Sequence, residues 1–365
     1  MNRNIAVDGF RGLLLLIIAI NHIESTALMI FTKGNFGYIS AAEGFIFLSG
    51  IMSYLAYKRF IDAPSSLYNK VFRRVGQIYL YTLCGLTIVF LSLQSNLLPE
   101  VWYRPLGNYF LLENYINFPL QTYVFSALQI QQIGYFDILI VYLLSMLFLP
   151  KALMMLHQGK AWLVLLISSL VWLSAHFISD SAIVSFYQGL VPGMKPNSGY
   201  LDVLAWQLLF YSGLVASYYY HTSKPIFFNN KIVIALVLAL ALAFIAVRQL
   251  ELILPLPEHI ISFFYSWQNM GIIRLLNTFV FAALVVILIN KLPQLFSAVP
   301  LVQLGQHSLQ VFTFHAVAIY YFWPWMVKVK NNYFVGYDIA LTFAFVLTLF
   351  VPVNLHVQWQ KRVKH

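Results

Sequence analysis

Residues 10–31 read FRGLLLLIIAINHIESTALMIF, a mostly apolar run that carries Arg11 near its start and Asn21-His22 in its middle. A helix rises about 1.5 Å per residue, so about 20 such residues match the hydrocarbon core of a bilayer. Similar runs follow at 41–57, 75–95, 136–149, 161–178, 203–219, 231–248, 271–290, 307–326 and 337–356. Their length and continuity predict helices rather than the alternating strands of a membrane barrel. The expected fold is therefore all-α: a polytopic integral membrane protein with about ten transmembrane helices. It is expected to form a single domain over residues 1–365.

Composition supports the same solvent. The chain is 61% hydrophobic and 9% charged, with a mean hydropathy of +0.76. Soluble domains carry roughly 25% charged residues, so this chain has too few charges to cover a water-facing surface. The single cysteine, Cys84, excludes an internal disulfide and a cysteine metal cluster. The net charge of +10 does not point to nucleic acid, because the basic residues lie between apolar runs, where topology signals sit. Gly12–Ile20 resembles the core of a signal peptide, but no small-residue cleavage site follows, so no cleavable leader is expected.

Lys58, Arg59, Lys70, Arg73, Arg74, Lys151, Lys160, Lys224, Lys231, Lys291, Lys361, Arg362 and Lys364 share one side if the N-terminus is cytoplasmic. That side is cytoplasmic by the positive-inside rule, which also puts the C-terminus there; Lys328 and Lys330 dissent. Glu100, Glu113, Asp180, Glu251 and Glu258 fall on the other side. The longest connection, 96–135, is also outside and is rich in rings and amides, including Trp102, Tyr103, Asn108, Tyr109, Tyr115, Gln129, Gln131 and Gln132. Two readings stand: an interfacial aromatic belt, or a sugar-binding surface that offers rings to CH faces and amides to hydroxyls. No internal repeat of the transporter kind is evident.

The first run also carries the chemistry. Arg11 and His22 are eleven residues apart, which on a helix is three turns plus roughly 20°, so they share a face with an axial separation of about 16 Å. Arg11 is placed at the cytoplasmic boundary and His22 near mid-membrane. Ionisable groups at such depth usually face a protein interior or a wet cavity. Histidine is the common general base, since its ordinary pKa of about 6.5 lies near working pH. The alternatives are a topology anchor for Arg11 and a helix–helix hydrogen bond for His22. Asp8, three residues before Arg11, is placed to pair with it. Glu43 opens the second run, where it suits either an orienting carboxylate for a histidine or a charge favoured by the helix dipole. Ser49-Gly50 fits close helix packing and not a nucleophile elbow. Asp137 and Asp202 stand where helix caps belong. Arg274 suits an anionic ligand or an acidic partner, and His315 suits a hydrogen bond inside the core. No phosphate loop, dinucleotide fingerprint or zinc motif is present, so no metal is expected.

Several of these segments together resemble the OpgC family, osmoregulated periplasmic glucan succinyltransferases within the wider acyltransferase-3 type of membrane acyltransferases. The resemblance rests on Asp8-Gly9-Phe10-Arg11-Gly12, Asn21-His22, Asn35-Phe36-Gly37 and Ala41-Ala42-Glu43-Gly44-Phe45-Ile46-Phe47-Leu48-Ser49-Gly50. It continues through Phe136-Asp137-Ile138-Leu139, Ala205-Trp206-Gln207-Leu208-Leu209-Phe210, Arg274-Leu275-Leu276 and Leu304-Gly305-Gln306-His307-Ser308-Leu309. It implies a multi-pass protein of the bacterial inner membrane. It also implies transfer of an acyl group, typically succinyl, from a cytoplasmic acyl-CoA-type co-substrate to a glucan outside that membrane. No bound cofactor and no nucleic acid are implied, and the oligomeric state is left open. An arginine and a histidine eleven residues apart in the first helix are essential in the wider superfamily; here they are Arg11 and His22.

The candidate catalytic residues are therefore His22, Arg11 and Glu43. The candidate substrate-binding residues are Arg274, Asp8, Asp137, Trp206 and Gln207. A transporter or flippase for an anionic or sugar-linked molecule is the alternative, since the same buried charges would suit a substrate or proton path.

Overall fold

The computed structural model describes residues 4–23, 26–95, 97, 112–132, 134–178, 185–186, 188–195, 199–223, 230–253, 257, 263–332 and 335–363. All regular structure among them is helical. Much of the 96–135 connection, including Trp102, Tyr103, Asn108 and Tyr109, lies outside the described residues. So do Glu100, Asp180, Lys224, Glu258 and Lys364.

A helix underlies each of the ten expected segments, and six stretches are long and apolar enough to cross a membrane: Ile5–His22, Pro64–Gln94, Gly134–His157, Lys231–Glu251, Ile272–Lys291 and Gly336–Arg362. Ala41–Tyr57, Ala161–Ala175, Val203–Ser223 and Ser308–Asn332 are the helices in the other four segments. The protein is a membrane protein built from helices.

Boundaries moved for identifiable reasons. The first helix is Ile5–His22 rather than 10–31. It starts early because the Asn4 side chain accepts the backbone N–H groups of Ala6 and Val7, a side-chain N-cap. Beyond it, the chain is tied to other elements instead of continuing the helix. Ala27 N–H donates to Asp338 Oδ2 at 2.6 Å, and the Thr26 and Thr342 hydroxyls meet at 2.8 Å. The third segment begins at Pro64 rather than 75. Proline at the first turn lacks only an N–H that has no intrahelical partner there, and the added turns carry Lys70, Arg73 and Arg74. The helix Asp137–His157 runs through Pro150 instead of stopping before it. The last expected segment is two helices, Val335–Thr348 and Phe350–Val363.

The chain divides into two compact units, Met1–Phe45 with Thr222–Ser266 and Gly271–His365, and Ile46–His221 with Trp267–Met270. In the first unit the helix Ile5–His22 packs most extensively against the short helix Val299–Gln306. Glycine makes this possible. A β-carbon at Gly9, Gly12 or Gly305 would overlap the carbonyl oxygens of Phe296, Leu301 and Asp8 respectively. The same device recurs in the second unit, where a β-carbon at Gly50 would overlap Phe210 O and one at Gly213 would overlap Phe47 O. The expected packing role of Gly50 is met there.

Candidate active site

The first unit contains Asp8, Arg11, His22, Glu43 and Arg274. Arg11 and His22 lie on one uninterrupted helix, so their common face and separation of about 16 Å hold. His22 is the last residue of that helix, not a mid-helix residue as the span 10–31 predicted. The Arg11 guanidinium carbon lies 5.3 Å from the centre of the Phe45 ring, within cation–π range. Asp8 is buried and its carboxylate faces the Gln306 amide at 3.4 Å.

Glu43 is fully buried. Its Oε2 accepts the Ser40 backbone N–H at 2.8 Å and the Ser40 hydroxyl at 2.5 Å, while Ser40 Oγ accepts Ala42 N–H at 3.2 Å. This is a capping box, and Ser40-x-x-Glu43 was its signal in the sequence. The other oxygen, Oε1, accepts Arg274 Nε at 2.6 Å. Of the two roles open to Arg274, an anionic ligand or an acidic partner, the structure shows the second. One turn further along the same helix, Asn277 Oδ1 accepts Tyr38 N–H at 2.6 Å. Gly37 sits against this amide with φ +77°, where a β-carbon would overlap Asn277 Oδ1. The segment 37–43 is thus pinned to the first turns of Ile272–Lys291 at two places.

A second imidazole lies beside His22. His22 Nδ1 lies 2.8 Å from His315 Nε2. The ring centroids are 4.7 Å apart and the planes differ by 23°. Faces stacked at van der Waals distance could not bring two nitrogens so close, so the rings meet edge to edge, near a common plane. His315 is only 2% exposed and is flanked by Phe312 at 5.5 Å and Phe345 at 6.2 Å. His22 is half-buried, so of the two imidazoles it is the one with surface to offer a ligand. The neighbouring Asn21 accepts the Thr32 hydroxyl at 2.5 Å. With the Thr26, Ala27, Thr342 and Asp338 contacts, this fixes the chain on both sides of His22.

The remaining candidates belong to the second unit and are engaged within it. Asp137 is the first residue of its helix rather than its cap; its carboxylate accepts Ile138 N–H at 3.0 Å and Tyr200 N–H at 3.2 Å. Trp206 is fully buried and its indole N–H faces the carbonyls of Trp267 and Gln268 at 3.2 and 3.0 Å. Gln207 donates to Ser168 O and Leu204 O, and accepts the Ser168 hydroxyl at 2.7 Å. Asp202, just before Val203–Ser223, accepts Leu204 N–H at 2.7 Å and Ala205 N–H at 3.1 Å. Burial pushes its carboxyl above the usual range, and these N–H bonds oppose that shift.

Residues that sequence reasoning missed are the ones that hold the site: Ser40, Thr26, Asp338 and Thr342. Only Ser40 had a local signal. Among the described residues no cluster of three or more His, Cys, Asp or Glu side chains lies close enough to hold a metal ion.

No curated protein matches the chain with significance. A family model described as OpgC protein matches residues 3–362, nearly the whole sequence. The chain belongs to the OpgC protein family.

Proposed function

We propose that this protein is a membrane O-acyltransferase of the acyltransferase-3 type, which moves an acyl group, succinyl, from a cytoplasmic acyl-CoA-type donor to a hydroxyl of a periplasmic glucan. The observation that carries the reading is the first helix. It holds a guanidinium and a half-buried imidazole on one face, about 16 Å apart, in a chain long and apolar enough to span a bilayer. Family membership supports a glucan-modifying acyltransferase in general terms.

In this reading both termini are cytoplasmic in the bacterial inner membrane, and Arg11 lies at the donor side. Its guanidinium holds an anionic part of the donor by charge-assisted hydrogen bonds. The acceptor hydroxyl loses its proton to His22 as its oxygen attacks the thioester carbonyl. The carbon–sulfur bond breaks, and the proton passes from His22 to the departing thiolate. General-base assistance of this kind is worth about 10²–10⁴-fold. Glu43 and Arg274 hold each other and fix the entry into Ala41–Tyr57. Direct transfer needs no acyl-enzyme.

The test uses membranes carrying wild type, His22→Ala or Arg11→Ala at matched levels, with radiolabelled succinyl-CoA and periplasmic glucan. Label should reach the glucan with wild type and fail to do so with His22→Ala. Transfer at the wild-type rate by His22→Ala would make His22 a packing residue and end the proposed mechanism.

A further inference from the structure

We propose that His315 is a positioning residue for this reaction: it accepts a hydrogen bond from His22 Nδ1–H and so leaves His22 Nε2 as the bare, basic nitrogen. The inference rests on the reading of His22 as general base and names what prepares it.

The direction of the hydrogen bond follows from counting protons. Two imidazole nitrogens 2.8 Å apart need one proton between them, and a neutral imidazole carries one N–H. Histidines elsewhere in the chain give Nδ1–H to a carbonyl one turn earlier on their own helix, as His176 does to Trp172 and His221 to Ser217, and for His315 the Phe312 carbonyl is the acceptor in that place. Nε2 of His315 already faces His22, so the N–H given to Phe312 is on Nδ1. His315 is then an acceptor at Nε2, and the shared proton belongs to His22 Nδ1. The surroundings favour a neutral His315: it is 2% exposed, Phe312 and Phe345 flank its ring, no carboxylate pairs with it among the described residues, and a buried cation without such a partner is costly.

The chain Phe312 C=O, His315, His22 therefore does for an imidazole what a buried carboxylate does in a hydrolase triad: it selects the tautomer and fixes the ring plane. The edge-to-edge geometry, with planes 23° apart, suits that role. When His22 takes the acceptor's proton on Nε2, its Nδ1–H becomes the donor of a charge-assisted bond, which is stronger than the neutral one. His315 thereby favours the protonated state formed during attack, without touching substrate. The proton returns from His22 Nε2 to the thiolate, and His315 ends as it began.

The experiment compares His315→Phe, which keeps a ring of similar shape without an acceptor, with His315→Gln, whose amide oxygen can occupy the place of Nε2. Membrane level and thermal unfolding are measured for both. His315→Phe should lower kcat by about 10²-fold or more, with KM for succinyl-CoA and for glucan within about twofold of wild type. His315→Gln should recover at least about tenfold of that loss, roughly 1.4 kcal/mol in barrier. Full kcat in His315→Phe, while His22→Ala is inactive, would overturn the role of His315 and leave the base reading standing. Full activity in His22→Ala would remove both. Should His315→Phe fail to fold, nitrogen-15 spectra of histidine-labelled wild type, assigned with His22→Ala, decide the matter. His22 protonated at Nδ1 supports the proposal, and protonation at Nε2 overturns it.

Discussion

Replacing Glu43 by glutamine tests whether the buried ion pair is a structural tie or a working part of the reaction. Glu43 is 0% and Arg274 6% exposed, and the two charges meet at 2.6 Å. Glutamine keeps the size of the side chain and can still accept from Ser40, but it leaves the guanidinium charge buried without its counter-charge. Removing one partner of a buried pair typically costs about 3–5 kcal/mol, whereas replacing both by apolar groups of similar volume is often neutral or stabilising. Glu43→Gln should therefore destabilise by about 3 kcal/mol or more, and the double variant Glu43→Gln with Arg274→Met should recover most of that loss. The assay is a double-mutant cycle on unfolding in a fixed detergent, with acyl transfer measured on the same samples. If the pair is a structural tie, the double variant regains both stability and transfer. A Glu43→Gln variant within about 1 kcal/mol of wild type would refute the reasoning, because the pair would then behave as a solvated one. A double variant that is stable and inactive would assign the charges to the chemistry instead.

Gly305→Ala should destabilise by about 1–3 kcal/mol or more through overpacking, since its β-carbon would overlap Asp8 O; a thermal midpoint equal to wild type would mean that the crossing is looser than described. Gln131 is 0% exposed and both polar atoms of its amide lack hydrogen-bond partners among the described residues, so Gln131→Met should raise stability by about 1–3 kcal/mol. Lower stability on chemical unfolding would show that the amide is satisfied in solution. Asp202 has its carboxyl raised by burial, so the folded state binds its proton more tightly than the unfolded state does. Its contribution to stability is therefore fully present below the ordinary carboxylate pKa and is lost as pH rises through the folded value. Asp202→Asn keeps a capping side chain and should flatten this decline in melting temperatures measured across the acidic range; an unchanged slope would remove Asp202 as its source.

The relation of Arg11 to His22 was legible in the sequence, because helical spacing converts directly into distance and angle. Arg11 and His22 share a face of a continuous helix, as their separation of eleven positions requires. What depended on meetings between helices was out of reach. The His22–His315 bond joins residues 293 positions apart, and the Arg274–Glu43 bond joins residues 231 apart; no periodicity constrains either. Glu43 illustrates the consequence. Its place at a helix start was legible, but its partner, the Arg274 guanidinium, comes from a distant segment. The end of the first helix failed for a related reason. Residues 23–31 are apolar enough to continue a span, yet Thr26 and Ala27 bond to Thr342 and Asp338, and those tertiary bonds win over local propensity.

The glycines close the argument. Gly9 and Gly12 sit three residues apart on the first helix, and each faces backbone of the segment 296–305. Gly305 returns the contact against Asp8 O and Gly12 N. The two motif blocks that lie farthest apart in the sequence, Asp8–Gly12 and Leu304–Leu309, are therefore a single packing unit in space. Ser308–Asn332 begins immediately beyond that crossing, and His315 lies seven residues along it, about 10 Å of rise. His22 lies ten residues beyond Gly12, about 15 Å of rise on its own helix. The crossing thus fixes the height at which the two imidazoles can meet, and a helix slip of one residue, about 1.5 Å, would break a hydrogen bond of 2.8 Å. The glycines at the base of the first helix hold the register that the histidines at its far end require.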